Sequence, residues 1–252
     1  MFTERPAVIE SLLKKSVSMA SGKVFLGTQS RIVVVHQELT PLAAIWQEEL
    51  RLVTGLDLQT DGGAPRRGDI VLGINKQLQA GADILRVKNG AVVRTREGAC
   101  RLEAKDVVTI EGSDYRAVAE GTTTLLQALT RTEQGIVLPA MTIHDWPHAD
   151  YTGIMLDVAR QASTLEDIRR CILGCRAYKV RYLQIHLTDD QAWTFPSTAY
   201  PKLGTRNGSA HGGPTPPRCD MAEFDGPDEA ARSHRHGVGQ GPLVRCRERR
   251  AR

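Results

Sequence analysis

The feature that most constrains the fold is a strand–helix–strand pattern in the second half of the chain. Gly153 to Val158 is an apolar run, and Arg181 to Leu187 alternates apolar and polar residues. Between them, Ser163 and Glu166 have the spacing of a capping box at the start of a helix. Because a crossover of this length joins parallel strands, the pattern predicts a βαβ unit.

The side chains that this unit buries are predicted from the same periodicity. They are Leu165, Ile168, Ile172, Cys175 and Tyr178 on the helix and Leu183, Ile185 and Leu187 on the second strand. Cys171 and Cys175 lie one turn apart, which is typical of small packing residues. The chain has five cysteines and no CxxC pair, so the sequence favours neither a disulfide framework nor a zinc ribbon.

Residues 1–147 have a different character and predict an α+β domain of ordinary size. Strands are predicted at Arg31–His36, Asp69–Ile74, Ile84–Val87 and Val107–Ile110, and a short helix at Gly121–Leu129. A longer helix follows Thr40-Pro41, with Thr40 as the N-cap, and ends at Gly55. Prolines from Leu138 to Pro147 predict a connector to the second domain.

Charge and hydropathy exclude some classes of partner. The net charge is +4, and from Arg218 to Arg252 arginines are crowded together and no lysine occurs. We interpret this basic tail as an abnormal chain end rather than as a segment that binds polyanions, so we expect no nucleic-acid partner. Residues Met1 to Gly27 contain Lys14 and Lys15 but no apolar run of signal-peptide length. No stretch has the length of a membrane span, so we expect no membrane partner, and the localisation stays open.

Charged residues follow both strands of the βαβ unit at the edge where binding groups collect. Arg160 follows the first strand, and Asp189 and Asp190 follow the second. A forked donor beside carboxylate acceptors suits a polyhydroxy ligand, but the same residues also fit a structural ion pair or solvated loop charges. A metal-dependent hydrolase using His186 with the two aspartates is disfavoured, since no further histidine or cysteine has ligand spacing.

The sequence around these residues resembles family 20 glycoside hydrolases, the β-N-acetylhexosaminidases. The segments that resemble the entry of that family's catalytic barrel are Trp146-Pro147, Tyr151 to Arg160, His186 to Trp193 and Tyr200 to Leu203. Glu120 to Gln127 is similar to the end of the family's accessory domain. The resemblance implies an α+β accessory domain followed by the first βαβ portion of a (β/α)8 TIM barrel.

The resemblance also implies a function and roles for individual residues. Arg160 matches the arginine that grips the hydroxyls of the N-acetylhexosamine, and Asp189 matches the aspartate that begins a hydrogen-bonded chain to the catalytic glutamate. Asp157, His186 and Asp190 match positions that support the rim and interior of the barrel. The implied partner is an N-acetylhexosamine-containing oligosaccharide, with no cofactor and no metal.

The implied reaction is hydrolysis of terminal N-acetyl-hexosamine residues from glycans by a substrate-assisted retaining mechanism, an exception to the scheme of two enzyme carboxylates. The 2-acetamido oxygen attacks the anomeric carbon, an aspartate orients that group, and the adjacent glutamate protonates the departing oxygen. Departures from the family pattern are Thr152, Gln161 and Ala192. They leave Arg160 and Asp189 in place.

The end of the chain departs further from the family pattern than these three residues do. We expect residues 148–226 to open the barrel and residues 227–252 to form an aberrant, disordered Arg- and Gly-rich tail, which we interpret as translation in a wrong frame. This tail predicts no third barrel strand, because buried parallel strands need a nearly continuous apolar run.

A (β/α)8 barrel takes eight units and about 250 residues. We therefore expect the catalytic Asp–Glu pair to be absent from this chain and the chain to be catalytically incomplete. His234 and His236 lie in the tail and are not assigned to the site. The alternative is a non-catalytic carbohydrate-binding or interaction module.

Overall fold

The computed structural model describes residues 16–89, 91–149, 151–161, 163–189, 194 and 199 and the backbone of 243–246. The chain divides into two compact units, Met1–Asp150 and Tyr151–Arg252. Among the described residues, no helix is long and apolar enough to cross a lipid bilayer. Each unit has its own hydrophobic core.

The first unit contains ten strands and two α-helices in its described part. The strands are β1 Ser16–Leu26, β2 Arg31–Val34, β3 Gln59–Asp61, β4 Ile70–Ile74, β5 Ile84–Lys88, β6 Ala91–Thr95, β7 Cys100–Ala104, β8 Val108–Gly112, β9 Thr130–Thr132 and β10 Gly135–Asp145. The helices are α1 Thr40–Thr54 and α2 Tyr115–Ala128, and a short 3-10 turn, Gln37–Leu39, precedes α1.

One mixed sheet organises this unit. Its strand order is β1-β10-β7-β8-β4-β2-β3, with β9 paired to β10, and β5 and β6 form a separate hairpin. The pairs β2·β3, β2·β4 and β4·β8 are parallel, whereas β7·β8, β7·β10 and β1·β10 are antiparallel. The predicted α+β class is confirmed for this unit.

The core of the first unit lies between the helices and the sheet. Its largest fully buried side chains include Trp46 and Leu50 of α1 and Ile70 and Ile110 of the central strands. Helix α2 approaches β8 closely, since a Cβ added at Gly121 would lie 2.6 Å from Cγ2 of Ile110. The helix and the sheet can pack this closely only because Gly121 has no side chain.

The boundaries of α1 agree with the sequence at one end only. Gly55 ends the helix in the left-handed region, at φ 79°, and its N–H donates to the carbonyl of Arg51. The prediction that Thr40 is the N-cap is wrong: Thr40 is already helical and Leu39 occupies the N-cap position without a side-chain hydrogen bond. The preceding 3-10 turn leads directly into the helix and makes a capping side chain unnecessary.

Helix α2 is longer than the predicted Gly121–Leu129. It begins at Tyr115, where the Asp114 carboxylate caps it by accepting the N–H of Ala117 at 2.8 Å. The first turns bury small residues, Ala117 and Ala119, beside Val118, which give a weak periodic signal. The cap, not the apolar pattern, marks the true start.

The predicted connector from Leu138 to Pro147 is largely wrong, because residues up to Asp145 belong to the 11-residue strand β10. Pro139 lacks an N–H, yet the strand tolerates it for a local reason. Strand β10 pairs with β9 through residues 135–137 and with β7 through 141–145, so Pro139 falls between the two ladders. On its other side Pro139 faces Lys23, where β1 has a register shift.

A buried ion pair that no sequence pattern had indicated joins β2 to the turn before β4. The Asp69 carboxylate is almost fully buried and accepts the Arg31 Nη2–H at 2.6 Å, the Arg31 N–H at 3.0 Å and the Arg66 N–H at 2.8 Å. Burial by itself acts to raise the pKa of Asp69, but these hydrogen bonds and the Arg31 charge outweigh it and hold the pKa below its ordinary value. Asp61 contacts the same guanidinium.

The second unit contains β11 Gly153–Asp157, α3 Leu165–Ala177, β12 Tyr182–His186 and β13 Leu243–Cys246. The strands form a parallel sheet in the order β11-β12-β13. The predicted parallel pair of β11 and β12 is therefore confirmed. The prediction that the tail holds no third strand is wrong: backbone pairing places Leu243–Cys246 beside β12, although an arginine interrupts its apolar residues.

Two details of α3 differ from the prediction. The capping box is formed by Thr164 and Asp167, one residue later than predicted: Thr164 Oγ1 accepts the Asp167 N–H at 3.1 Å and the Asp167 carboxylate accepts the Thr164 N–H at 3.0 Å. Tyr178 lies past the end of the helix with 73% of its surface exposed, because the chain leaves the helical path there.

The remaining predicted buried side chains of this unit do pack together. Its core comprises Val158, Ile168, Cys175, Leu183, Ile185 and Leu187, with Leu165, Cys171 and Ile172 packed against it. Burial, and next the neighbouring thiol of Cys171, raise the pKa of Cys175 to about 11. The Cys175 thiol therefore stays protonated at neutral pH, as suits a packing residue.

Candidate functional site

The candidate site lies where β11 and β12 end. The two strands pair in register from Gly153 opposite Tyr182 to Asp157 opposite His186, so their carboxyl ends are side by side. The Val158 N–H continues the pairing by donating to the His186 carbonyl at 3.1 Å. The loops that follow the strands consequently start from neighbouring positions, which is the edge where α/β units place their binding groups.

Asp157 shapes the turn after β11. Its Oδ1 accepts the N–H groups of Ala159 and Arg160, both at 3.0 Å, and its Oδ2 lies 3.3 Å from Nη1 of Arg160. Val158 and Ala159 are buried in this turn. The carboxylate therefore holds both the backbone that carries Arg160 and the guanidinium at the end of its side chain.

Arg160 and Asp189 are in direct contact. Nη2 of Arg160 donates to Oδ2 of Asp189 at 2.6 Å, a short charge-assisted hydrogen bond. The Arg160 side chain is 55% exposed, whereas that of Asp189 is only 14% exposed. The carboxylate is thus enclosed, while the guanidinium offers donors to solvent or to a ligand.

His186 joins the same carboxylate from the end of β12. Its Nε2 lies 2.9 Å from Oδ2 of Asp189, and its side chain is also 14% exposed. With Asp189 ionised and acting only as an acceptor, this contact requires the hydrogen to be on Nε2. One carboxylate oxygen therefore receives a hydrogen bond from a guanidinium and another from an imidazole.

The loop after β12 is held by Thr194, a residue that the sequence alone did not single out. Both the N–H and the Oγ1–H of Thr194 donate to the carbonyl of Leu187, at 3.1 and 2.6 Å. These contacts join Thr194 to the residue that directly follows β12. No local sequence pattern indicated them.

The structure brings together four of the five residues predicted for the site: Arg160, Asp189, Asp157 and His186. Asp190 lies outside the described residues, as do Gln191 to Trp193. Within the ranges that the structure describes, no group of three or more His, Cys, Asp or Glu side chains is arranged to hold a metal ion. Together these side chains hold the Arg160 guanidinium, with its several N–H donors, between the carboxylates of Asp157 and Asp189.

Comparison with known proteins identifies the family. The family model described as Glycosyl hydrolase family 20, domain 2 matches residues 14–146, more than half of the chain. The model described as Glycosyl hydrolase family 20, catalytic domain matches residues 150–217.

Curated relatives agree with these matches. A beta-hexosaminidase of Porphyromonas gingivalis is 30% identical over 183 residues, which are 69% of this chain and 22% of that protein. A beta-N-acetylhexosaminidase of Cellulomonas fimi is 26% identical over 218 residues, or 83% of this chain and 39% of that protein. The chain thus spans well under half the length of these relatives.

A solved structure supports the fold. The family 20 beta-N-acetylhexosaminidase of Streptomyces coelicolor A3(2) superposes with a TM-score of 0.68 at 21% identity, over 92% of this chain and 44% of that one. The first unit corresponds in sequence to domain 2 of the family and the second to the start of its catalytic domain. The chain therefore belongs to glycosyl hydrolase family 20.

Proposed function

We propose that this chain supplies the accessory domain and the opening of the catalytic domain of a β-N-acetylhexosaminidase that hydrolyses terminal N-acetylhexosamine residues from glycans. The observation that carries the proposal is the 2.6 Å contact between Arg160 and Asp189 at the carboxyl ends of adjacent parallel strands. The names of the two curated relatives support the substrate class.

The geometry suits the role proposed for Arg160. A guanidinium has five N–H donors in a rigid fork, and the contacts with Asp157 and Asp189 use only some of them. Because its side chain is half exposed, the remaining donors are accessible to the hydroxyls of a sugar. Arg160 would bind the non-reducing sugar, and Asp189 would fix the direction of the guanidinium.

We propose that the parallel pair β11-β12 belongs to the first part of a (β/α)8 barrel and that the reaction is substrate-assisted with retention. The acetamido oxygen of the substrate attacks the anomeric carbon while a glutamic acid protonates the departing glycosidic oxygen. In this scheme Asp189 and His186 lie behind the reacting centre, where the enclosed carboxylate would orient a hydrogen-bonded chain toward that glutamate.

We further propose that these 252 residues do not by themselves complete the catalytic set. The test is an assay of the purified polypeptide with an aryl N-acetylglucosaminide, run beside a full-length relative as positive control. We expect no turnover by the 252-residue polypeptide. Turnover that is lost in Arg160→Met would contradict the incompleteness while supporting the site.

Binding provides the matching test of the site itself. N-acetylglucosamine, added to the isotope-labelled chain, is expected to shift the resonances of the turn at 157–160 and of the loop around Asp189. Arg160→Met should abolish these shifts, because the apolar side chain has similar length but no donors. Arg170→Met removes an exposed arginine from α3 and is the matched control. Equal shifts in both variants would refute the assignment of Arg160.

The second candidate function is a non-catalytic carbohydrate-binding or interaction module. The observation that favours it is the separate core of the first unit, which encloses Trp46 and Leu50 without help from the second. A polypeptide ending at Asp150 should then fold and bind a glycan array as well as the longer chain does. Loss of all glycan binding in that shorter polypeptide would leave the site at Arg160 as the better candidate.

A further inference from the structure

Asp157 makes two kinds of contact with the turn that follows β11, and they use different oxygens. Oδ1 accepts the N–H groups of Ala159 and Arg160, both at 3.0 Å. Oδ2 lies 3.3 Å from Nη1 of Arg160. The first contact shapes the backbone, and the second acts on the guanidinium.

The guanidinium of Arg160 is held from two sides. Asp157 on its own turn contacts Nη1, and Asp189 after the neighbouring strand accepts from Nη2 at 2.6 Å. Contacts to two different nitrogens fix the plane of the guanidinium as well as its position. Without such contacts, an arginine side chain that is 55% exposed would sample many rotamers.

We propose that Asp157 is a positioning residue that orders the Arg160 guanidinium for binding the sugar. The proposal rests on the proposed function of Arg160 and extends it. A side chain that is ordered before the ligand arrives loses less conformational entropy on binding, so the ion pair with Asp157 raises the affinity for the sugar without touching it.

The alternative is that Asp157 only shapes the turn, and one substitution separates the two roles. Asp157→Asn keeps an oxygen that accepts from the backbone N–H groups but removes the charge that attracts Nη1. Asp157→Ala removes both contacts. A structural role predicts that the asparagine variant behaves like the wild type, whereas positioning predicts that it resembles the alanine variant at the guanidinium.

The test uses the full 252-residue chain labelled with ¹⁵N-arginine. The Arg160 Nε–H resonance is identified by its absence in Arg160→Lys, and its heteronuclear NOE reports the order of the guanidinium. N-acetylglucosamine is then titrated into each variant. Glu166→Gln, which removes an exposed carboxylate from Arg170 on α3, is the matched control.

In Asp157→Asn we expect the backbone amides of Ala159 and Arg160 to stay protected, the NOE of the Arg160 Nε–H to fall, and the affinity for N-acetylglucosamine to drop about three- to fivefold. Glu166→Gln should change neither the NOE nor the affinity. In the wild-type chain, raising the salt concentration should lower the same NOE, because ions screen a half-exposed pair.

An unchanged Arg160 NOE and unchanged affinity in Asp157→Asn would overturn the proposal. If that variant fails to fold, the salt titration of the wild type still tests the ion pair, since an Arg160 NOE insensitive to salt also counts against it. A wild-type chain that does not bind N-acetylglucosamine, but whose Arg160 loosens in Asp157→Asn, would refute the sugar site and leave the ordering of the guanidinium intact.

Discussion

The two units use apolar strands in opposite ways. In the first unit, Ile70 and Leu72 of the central strand β4 are completely buried beneath the helices. In the second, β11 is also largely apolar, yet Ile154 and Met155 are 43% and 57% exposed in the part of the unit that the structure describes. An apolar run therefore specifies a strand in both units, but only the surrounding elements decide whether the strand is buried.

The ion pairs of the two units also differ in how far their arginine side chains are exposed. Asp69 is enclosed and fully engaged by Arg31 and two backbone N–H groups, which is the pattern of a structural pair. Asp189 is enclosed too, but its partner Arg160 is half exposed at the end of a parallel strand. The first unit therefore encloses both members of its pair, whereas in the second unit the guanidinium remains accessible to solvent.

The largest expected effect comes from Asp69 in the first unit. Asp69→Ala leaves Arg31 with only the more exposed Asp61 as carboxylate partner and leaves two backbone N–H groups without their acceptor, so it is expected to destabilise this unit by about 3–5 kcal/mol. Chemical denaturation measures the effect. Asp106→Ala removes the carboxylate of an exposed pair with Arg67 and is expected to cost about 0–1 kcal/mol. Equal losses in the two variants would mean that burial of the pair does not matter.

Because folding changes the pKa of Asp69, we expect the stability of the first unit to depend on pH. Because folding lowers the pKa of Asp69, its contribution to stability is present above the unfolded-state pKa of about 4 and is lost as the pH falls through the lower folded-state pKa. Thermal unfolding at pH 7 and at pH 3 should show a smaller loss in Asp69→Asn than in the wild type. A parallel decline in both would contradict the assignment.

A matched pair of leucines on α1 tests the core of the first unit. Leu50 is fully buried and Leu52 is 69% exposed. Leu50→Ala should lower the free energy of unfolding by about 2–4 kcal/mol through lost burial and a residual cavity. Leu52→Ala should change it by less than about 0.5 kcal/mol. Denaturant unfolding followed by tryptophan fluorescence, to which the buried Trp46 contributes, would measure both.

A substitution in the core of the second unit should destabilise that unit without changing the stability of the first. Leu183→Ala empties the centre of a small core and is expected to destabilise that unit by about 2 kcal/mol, while the first unit keeps its wild-type unfolding transition. Leu173→Ala, exposed on α3, is the control. Limited proteolysis should cut the second unit first and leave a fragment near residues 1–147, and faster cleavage of the first unit would reverse the comparison.

The smallest expected effect is at the start of α3. Thr164→Ala removes the capping box and should destabilise the second unit by about 1 kcal/mol. Ser163→Ala tests the cap predicted from sequence and should have almost no effect. Hydrogen exchange of the first turn of α3 distinguishes the two variants, and a larger effect at Ser163 would contradict the observed cap.

Much of the second unit could be predicted from the sequence because its signals are local. Alternation from Tyr182 to His186 indicated which face of β12 is buried, and the crossover length indicated a parallel pair. The positions of Arg160 and Asp189 after the two strands then placed them at one edge. Their proximity was predictable because the carboxyl ends of neighbouring parallel strands lie at the same edge of a sheet.

The errors lie where distant segments decide the outcome. Pro139 indicated a loop, but it sits within β10 because the pairings with β9 and β7 leave a gap at that residue. The strand Leu243–Cys246 pairs with β12 although its own sequence gives little indication of a strand. The capping box lies one residue later than predicted because Ser163 with Glu166 and Thr164 with Asp167 both have the required spacing, and the structure uses the second pair.

The sequence by itself determined the strand–helix–strand unit, the apolar faces of its helix and second strand and the edge at which the charged residues gather, since these depend on periodicity and on the parallel direction of the two strands. Only the tertiary structure decided that Asp157 reaches the guanidinium of Arg160, that His186 shares an oxygen of Asp189 and that Asp69 forms a buried pair. Those contacts depend on side-chain directions and on separations of a few ångströms, which follow from packing among segments remote in sequence.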